Sequence, residues 1–513
     1  MKFYNNKMDI LNVNLRINSL FNDGDNVLKI IDGEGGIVKL LGYPSEKCQL
    51  IDNLQVGELL GEGQYGKAFI IKINNKDFVV KKVDLNLRIQ TVKKENINNR
   101  LEIAGVSIKD FEFLQPDKYL QKYINAKDDE FVTIVIPPLP CILTKETEYR
   151  PFPKDIGKRC IIPKGSYLCS DETFSEFVIG VYCGKLYRDR LCINFFDIFS
   201  LFTCRKKTDK ESYIPGKEYN KKTNKIDDII LYSLQQYILM EKISGDLSDD
   251  IECLSIHTFN KIPSDKRGHA MNSFYVQVIF AIAIYQEKLK ISHNDLHTGN
   301  VFIEHITPKT VFNNQNVYGS DWFHYRVKGK DIYIPYCSFI AKIGDFGLSI
   351  KYKIEKTDPP MVGNKFIVET GFEDADPVEG LVPNIFLVGY DLLYFSYAYV
   401  WLLRNHYEGH SKLSKSYSNS LPTSNNKPVT SFIVKCIEFF GNLPLSTGNL
   451  DIIDRLNGNY GGKDPLIKIN SGRPYLKKLV NVKSALQTLL GPIYDQYREK
   501  PKEGRIIFCG ELQ

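Results

Sequence analysis

The stretch Ile291-Ser292-His293-Asn294-Asp295-Leu296-His297-Thr298-Gly299-Asn300-Val301-Phe302-Ile303 gathers polar residues between apolar flanks too short for helices. It reads as a loop carried on rigid supports. Asp295 and Asn300 stand five residues apart, a spacing that suits one group accepting a proton while the other offers oxygen to a hard cation. A second carboxylate, Asp345, follows in Lys342-Ile343-Gly344-Asp345-Phe346-Gly347, flanked by glycines. Taken alone, His293 to Asn300 also admits the plainer reading of a polar turn capping a buried helix, so the rest of the chain decides.

The elements that must position these groups begin at Val56. Leu59-Leu60-Gly61-Glu62-Gly63-Gln64-Tyr65-Gly66 runs into Lys67 to Ile73, then Asn74 to Asp77, then Phe78-Val79-Val80-Lys81-Lys82-Val83. This is strand, turn, strand, turn, strand, with turn-forming residues at the second turn. A Gly-x-Gly-x-x-Gly motif in a dinucleotide-binding unit opens a helix and is followed by an acidic residue about 20 positions later. Here a β-branched apolar strand follows instead. Glycines in a hairpin let backbone amides approach phosphates from above. Lys81 falls in the third strand with Lys82 on the opposite face. Ser273 to Leu289 has the length and apolar content of a buried helix supporting the Asp295 loop.

These motifs in this order resemble the protein-kinase family: a glycine-rich loop, a strand lysine, a catalytic loop and a D-F-G metal loop. The resemblance implies an α+β, bilobal fold with a small β-rich lobe and a larger helical lobe. It implies ATP and Mg2+ as cofactors, with Asp295 meeting the acceptor hydroxyl and Asn300 and Asp345 holding the metal. Lys81 would hold the α- and β-phosphates, and Gly61, Glu62, Gly63, Gln64, Tyr65, Gly66, Ala68 and Val79 would surround the nucleotide. A helix over Thr91 to Ser107 would carry the glutamate that pairs with Lys81, with Glu102 favoured over Glu95 by spacing. Tyr237 to Leu247 resembles the hinge, with Met240 as gatekeeper, the backbone of Glu241 and Ile243 at the adenine edge, and Asp246 toward the ribose. Glu379 precedes Asp391 by twelve residues, as the glutamate of A-P-E precedes the aspartate of the long central helix, and Arg473 is its expected partner.

Departures from the family are specific. Asn294 replaces the arginine of H-R-D, and His297 stands where serine/threonine kinases have lysine, in a catalytic role at the transferred group. The resulting H-N-D-L-H-x-x-N also resembles aminoglycoside and choline kinases. The readings in order are therefore a serine/threonine protein kinase, a small-molecule phosphotransferase, and a kinase-fold scaffold. The excess of Asn, Lys, Ile and Tyr, with large insertions, resembles divergent kinases of large DNA viruses. The expected organisation is an extension over 1–50, an N-lobe over 51–242 with an insertion at about 110–230, and a C-lobe over 243–513 with inserted loops at about 307–331 and 410–431. Within the first insertion, Val132 to Ile136 reads as one strand.

The 513 residues are 43% hydrophobic and carry 67 basic and 61 acidic side chains. That is a globular composition, and a net charge of +6 spread so evenly does not describe a nucleic-acid binder. The expected partner is a protein substrate. Eleven cysteines include no C-x-x-C pair, and the first residues are too polar for a signal peptide, so reduced thiols and a cytoplasmic setting (host cytoplasm or virion, if viral) are expected. Leu381 to Leu403 is apolar, but Asn384 and Asp391 lie inside it, so a buried helix is expected rather than a membrane span.

Overall fold

The computed structural model describes residues 56–365 with gaps, the isolated positions 368, 391, 392, 395 and 399, and residues 497–512. Its order begins with strands β1 (Val56–Gly63), β2 (Gly66–Ile73) and β3 (Lys76–Lys93), helix α1 (Asp117–Asn125), β4 (Phe131–Ile136) and β5 (Cys141–Leu143). A hairpin of β6 (Glu148–Pro151) and β7 (Arg159–Ile162) leads to β8 (Tyr167–Cys169) and helix α2 (Glu172–Arg188). Strands β9 (Ile198–Arg205), β10 (Ile214–Asn220) and β11 (Lys225–Glu241) precede helix α3 (Ser264–Leu289). The remaining strands are β12 (Ile291–Ser292), β13 (Val301–His305), β14 (Val311–Phe312), β15 (Gln315–Asn316), β16 (Trp322–Val327), β17 (Lys330–Pro335), β18 (Phe339–Ile343), β19 (Ile350–Lys351), β20 (Val362–Asn364) and β21 (Ile506–Leu512). The fold is mixed α+β, dominated by antiparallel sheets.

The chain divides into two compact units, with 143–168 and 182–197 joining the second unit although they interrupt the first in sequence. In the first unit the sheet runs β1-β2-β3-β11-β10, with β9 on β11 and β4 on the far end of β3. Alternation assigns the two faces. Ile71, Ile73, Val80, Phe202, Cys204, Tyr237 and Leu239 form one apolar cluster. Val79 and Lys81 turn the other way, Lys81 standing opposite Ala68 on β2 and the buried Ile238 on β11.

In the second unit α3 is buried along Ser273 to Ile282. Asp391, Leu392, Phe395 and Tyr399 are helical and buried; positions 391, 395 and 399 share a helix face. The rings of Phe395 and Tyr399 lie against Tyr275 at 5.9 and 5.7 Å. Among the described residues no helix is long and apolar enough to cross a membrane.

Several expectations give way here. Thr91–Lys93 continue β3 and Lys94–Asn96 form a 3-10 turn, so the helix expected over Thr91 to Ser107 starts late: Ile97, Asn98 and Leu101 are helical, with Ile97 and Leu101 buried. Val132 to Ile136 is a strand, but it pairs with β3 beyond Arg88, whereas the strand beside β11 is Ile198–Arg205. The region 307–331 is no simple loop: β16 and β17 form a hairpin that adds the distant β21 in parallel, and Arg505 forks onto Asp321 at 3.0 and 2.7 Å. Uniformly reduced thiols do not hold either, since Cys169 and Cys204 are disulfide-bonded while Cys183, Cys192 and Cys509 are free and buried. The 1–50 extension, the 410–431 loop, Gln64, Tyr65, Glu102, Asp246, Glu379 and Arg473 lie outside the described residues.

Candidate functional site

In the second unit, the Asp295 loop hangs from one buried carboxylate. Asp391 Oδ2 accepts from the Tyr285 hydroxyl at 2.7 Å, the Gln286 amide at 3.2 Å and the His293 backbone N–H at 2.9 Å; Oδ1 accepts from the Asn294 N–H at 3.0 Å. Burial, then the Asp391 charge, pushes the Tyr285 hydroxyl well above its ordinary range, so it stays a donor. The His293 ring reaches the Gly344 carbonyl at 2.9 Å and packs on Phe346 at 5.1 Å. Asn294 takes the left-handed conformation (φ 70°), which asparagine tolerates better than most residues, and its amide donates to the Leu348 carbonyl at 3.0 Å.

The loop is tied to its metal-ligand candidates locally. Asn300 Nδ2 donates to the Asp295 carbonyl at 2.7 Å and to its carboxylate at 3.3 Å, so Oδ1 is the amide atom turned away for a cation. β13 starts at the next residue and pairs with β18, Val301 opposite Ile343, and Gly344 N–H donates to the Asn300 carbonyl at 3.1 Å. Asn300 thus directly precedes β13 and bonds Asp295, while Asp345 follows β18 with Gly344 between them. Asp345 has φ 56°, a conformation that costs a non-glycine residue on the order of 1–3 kcal/mol and collects at functional positions. Gly344 sets its approach: a Cβ there would lie 2.5 Å from the Phe302 ring and 2.6 Å from that of Phe196.

His297 sits beside Asp295, Nε2 to Oδ2 at 3.7 Å, and its Nδ1 accepts the Gly299 N–H at 3.0 Å. A side chain at Gly299 would press on the imidazole at 2.9 Å. An accepting Nδ1 carries no proton. Burial lowers this histidine's pKa below its ordinary value, with the nearby Asp345 charge opposing. Both features favour the uncharged imidazole over the lysine-like cation that the resemblance puts at this position.

In the first unit, Lys81 Nζ meets Glu176 Oε2 at 2.6 Å, the two side chains 19% and 6% exposed. Glu176 was not among the expected partners, and the favoured one, Glu102, lies outside the described residues. Glu95 is exposed and faces Lys93 at 3.5 Å. Glu176 rides on α2, where Phe174, Phe177, Val178, Ile179 and Val181 are also buried. It was missed because it follows Lys81 by 95 residues, inside the supposed insertion. One signal was present: a lone carboxylate in an apolar run must find a cation if buried.

Around Lys81, Gly61, Glu62 and Gly63 lie on β1, and Gly66 and Ala68 on β2, with Gly63 opposite Gly66 at the hairpin's end. Gly66 has a packing reason of its own, since a Cβ there would come within 2.5 Å of the Lys82 carbonyl. Val79 is buried opposite Ile70 and Met240. β11 ends at Glu241, and Ile243 is buried two residues later.

No protein-family model matches this chain, and no curated protein matches it at a significant level.

Proposed function

We propose that the chain is an ATP-dependent protein kinase that transfers the γ-phosphoryl group to Ser/Thr hydroxyls. The observation that supports this reading is the β13–β18 pair, which begins just after Asn300 and ends just before Gly344-Asp345, with Asp295 bonded to the Asn300 amide. Phosphoryl transfer asks a protein for positioning and electrostatics rather than covalent chemistry. Asp295 orients the acceptor hydroxyl and takes its proton as the hydroxyl oxygen bonds to the γ-phosphorus and ADP departs. Asn300 Oδ1 and the Asp345 carboxylate suit Mg2+, which prefers hard oxygen donors; when bound it would neutralise phosphate charge. Lys81 supplies positive charge to the nucleotide phosphates, and Glu176 fixes its ammonium.

The test is labelled-ATP turnover against a protein panel and a metabolite panel. Lys81→Met, Asp295→Asn and Asp345→Asn should each abolish transfer with the fold intact; loss of a general base alone is typically worth about 10²- to 10⁴-fold. Glu176→Gln should slow transfer while Glu95→Gln does not. Wild-type turnover by Asp345→Asn overturns the reading, and transfer to metabolites alone moves the substrate class to small molecules.

A further inference from the structure

β18 leads directly into Gly344 and Asp345, and among the described residues only one of its edges is paired with a strand. The other edge is closed by two side-chain amides and the Asn194 backbone carbonyl. Asn194 Nδ2 donates to the Ala341 carbonyl at 2.7 Å, Gln277 Oε1 accepts the Ala341 N–H at 2.9 Å, and the Asn194 carbonyl accepts the Ile343 N–H at 3.0 Å. Asn194 and Gln277 also bond each other at 3.2 Å, and Gln277 Nε2 donates to Ser273 at 3.2 Å. All four residues, Asn194, Gln277, Ser273 and Ala341, are fully buried. In a dry interior an unmatched strand edge is costly, so two amides do here what a neighbouring strand would do.

What fixes Asn194 comes from the added three-stranded sheet. The Tyr325 hydroxyl, on β16, donates to Asn194 Oδ1 at 3.0 Å, and the Cys192 thiol approaches the same oxygen at 3.5 Å. Burial raises the Tyr325 hydroxyl well above its ordinary range and pushes the Cys192 thiol up to about 12, so both keep their protons as donors. With Oδ1 claimed by these donors, the Asn194 amide has one orientation, Nδ2 toward Ala341. The Tyr325 ring packs on Phe280 of α3 at 4.4 Å, and β16 is held by β17 and β21.

We propose that Tyr325, Asn194 and Gln277 are positioning residues that hold β18 in register so that Asp345 presents its carboxylate to Mg2+, and that the β17-β16-β21 sheet supplies the Tyr325 hydroxyl for this purpose. The proposal rests on the kinase reading for its metal. It gives the inserted hairpin and the β21 strand a common task at the catalytic strand pair.

Tyr325→Phe removes only the hydroxyl and leaves the ring packed on Phe280. Tyr333→Phe, a neighbour on β17 with no bond to Asn194, is the control. Half-saturating Mg2+ for ATP turnover should rise about 3- to 10-fold in Tyr325→Phe, the scale of one buried hydrogen bond. The acceptor KM should stay unchanged. Tyr333→Phe should leave both unchanged. Gln277→Met should raise the Mg2+ requirement and Gln277→Glu, which keeps an acceptor for Ala341, should restore it in part. Independently of activity, hydrogen exchange across 339–345 should quicken in Tyr325→Phe and not in the control. Unaltered Mg2+ dependence with altered thermal stability overturns the positioning role, as does unaltered exchange. If the wild type transfers no phosphoryl group, the kinase reading falls, and exchange together with direct Mg2+ titration of the two variants still decides whether Tyr325 governs the Asp345 strand.

Discussion

Replacing Asp391 is the most direct probe of how the loop is held. Four donors converge on this carboxylate: the Tyr285 hydroxyl, the Gln286 amide and the N–H groups of His293 and Asn294. Asp391 is fully buried, so Asp391→Ala strands all four. An unsatisfied buried donor costs about 1–3 kcal/mol, and four together approach the total stability of an ordinary domain, about 5–15 kcal/mol. Asp391→Asn differs in a calculable way. Three of the donors meet Oδ2, so an asparagine oxygen at that position keeps them, while its Nδ2 faces the Asn294 N–H and loses one bond. The expected cost is about 1–3 kcal/mol for that variant. Urea unfolding followed by hydrogen exchange over 291–300 measures both. Asp391→Ala should fail to fold the second unit or lose several kcal/mol there, and Asp391→Asn should fold with faster exchange at Asn294. An Asp391→Ala protein within about 1 kcal/mol of wild type would refute the argument, because no distribution of four lost bonds is that small.

The lowered pKa of His297 fixes the sign of its pH effect. The unfolded chain binds this proton more readily, so the loop's stability is full above the ordinary histidine range near about 6.5 and declines as pH falls through the lowered native value; wild type should therefore destabilise more than His297→Ala on acidification, and parallel curves would sink the claim. If His297 acts on the transferred group as a cation, the lowered pKa puts the fall in turnover with rising pH below the ordinary histidine range, and a fall centred at or above that range would contradict the burial argument. The segment after Gly347 is tied by backbone pairing, β19 to β12 and to β20, with the Tyr167 N–H donating to the Met361 carbonyl at 2.8 Å. Phosphatase-treated protein should accordingly keep its activity, and loss on treatment with recovery on rephosphorylation would contradict this.

What was legible in the sequence was whatever is local. The Asp295–Asn300 loop, the β1-β2-β3 hairpins, the buried helix at Asp391 and the strand that carries Asp345 follow from spacing, turn residues and apolar runs within a few dozen residues. Glu176 was not legible in that way. Its helix is buried on all sides and so lacks the one-faced period that identifies a helix, and its partner lies far up the chain. The β16–β17 hairpin read as a loop because the strand that completes its sheet, Ile506–Leu512, is distant and parallel, a pairing with no local signature.

Set beside the kinase family that the motifs resemble, Asn294 and the segments expected to be insertions have a common physical logic. An arginine preceding Asp295 would offer a charge to a modified segment; Asn294 instead spends its amide on the Leu348 carbonyl and its backbone N–H on Asp391. Among the described residues, order in the following segment comes from backbone pairing and from the buried Lys351 over the Tyr182 ring: β8 adds to the edge of β20, and Tyr325 fixes the amide beside β18. Backbone and amide bonds of this kind in a dry interior respond weakly to salt and to phosphate, whereas an exposed charge pair is screened. On the proposed kinase reading, the loop that bears Asp295 and the strand that leads into Asp345 are held by contacts within the folded chain, and the expected outcome is activity that needs no added phosphate.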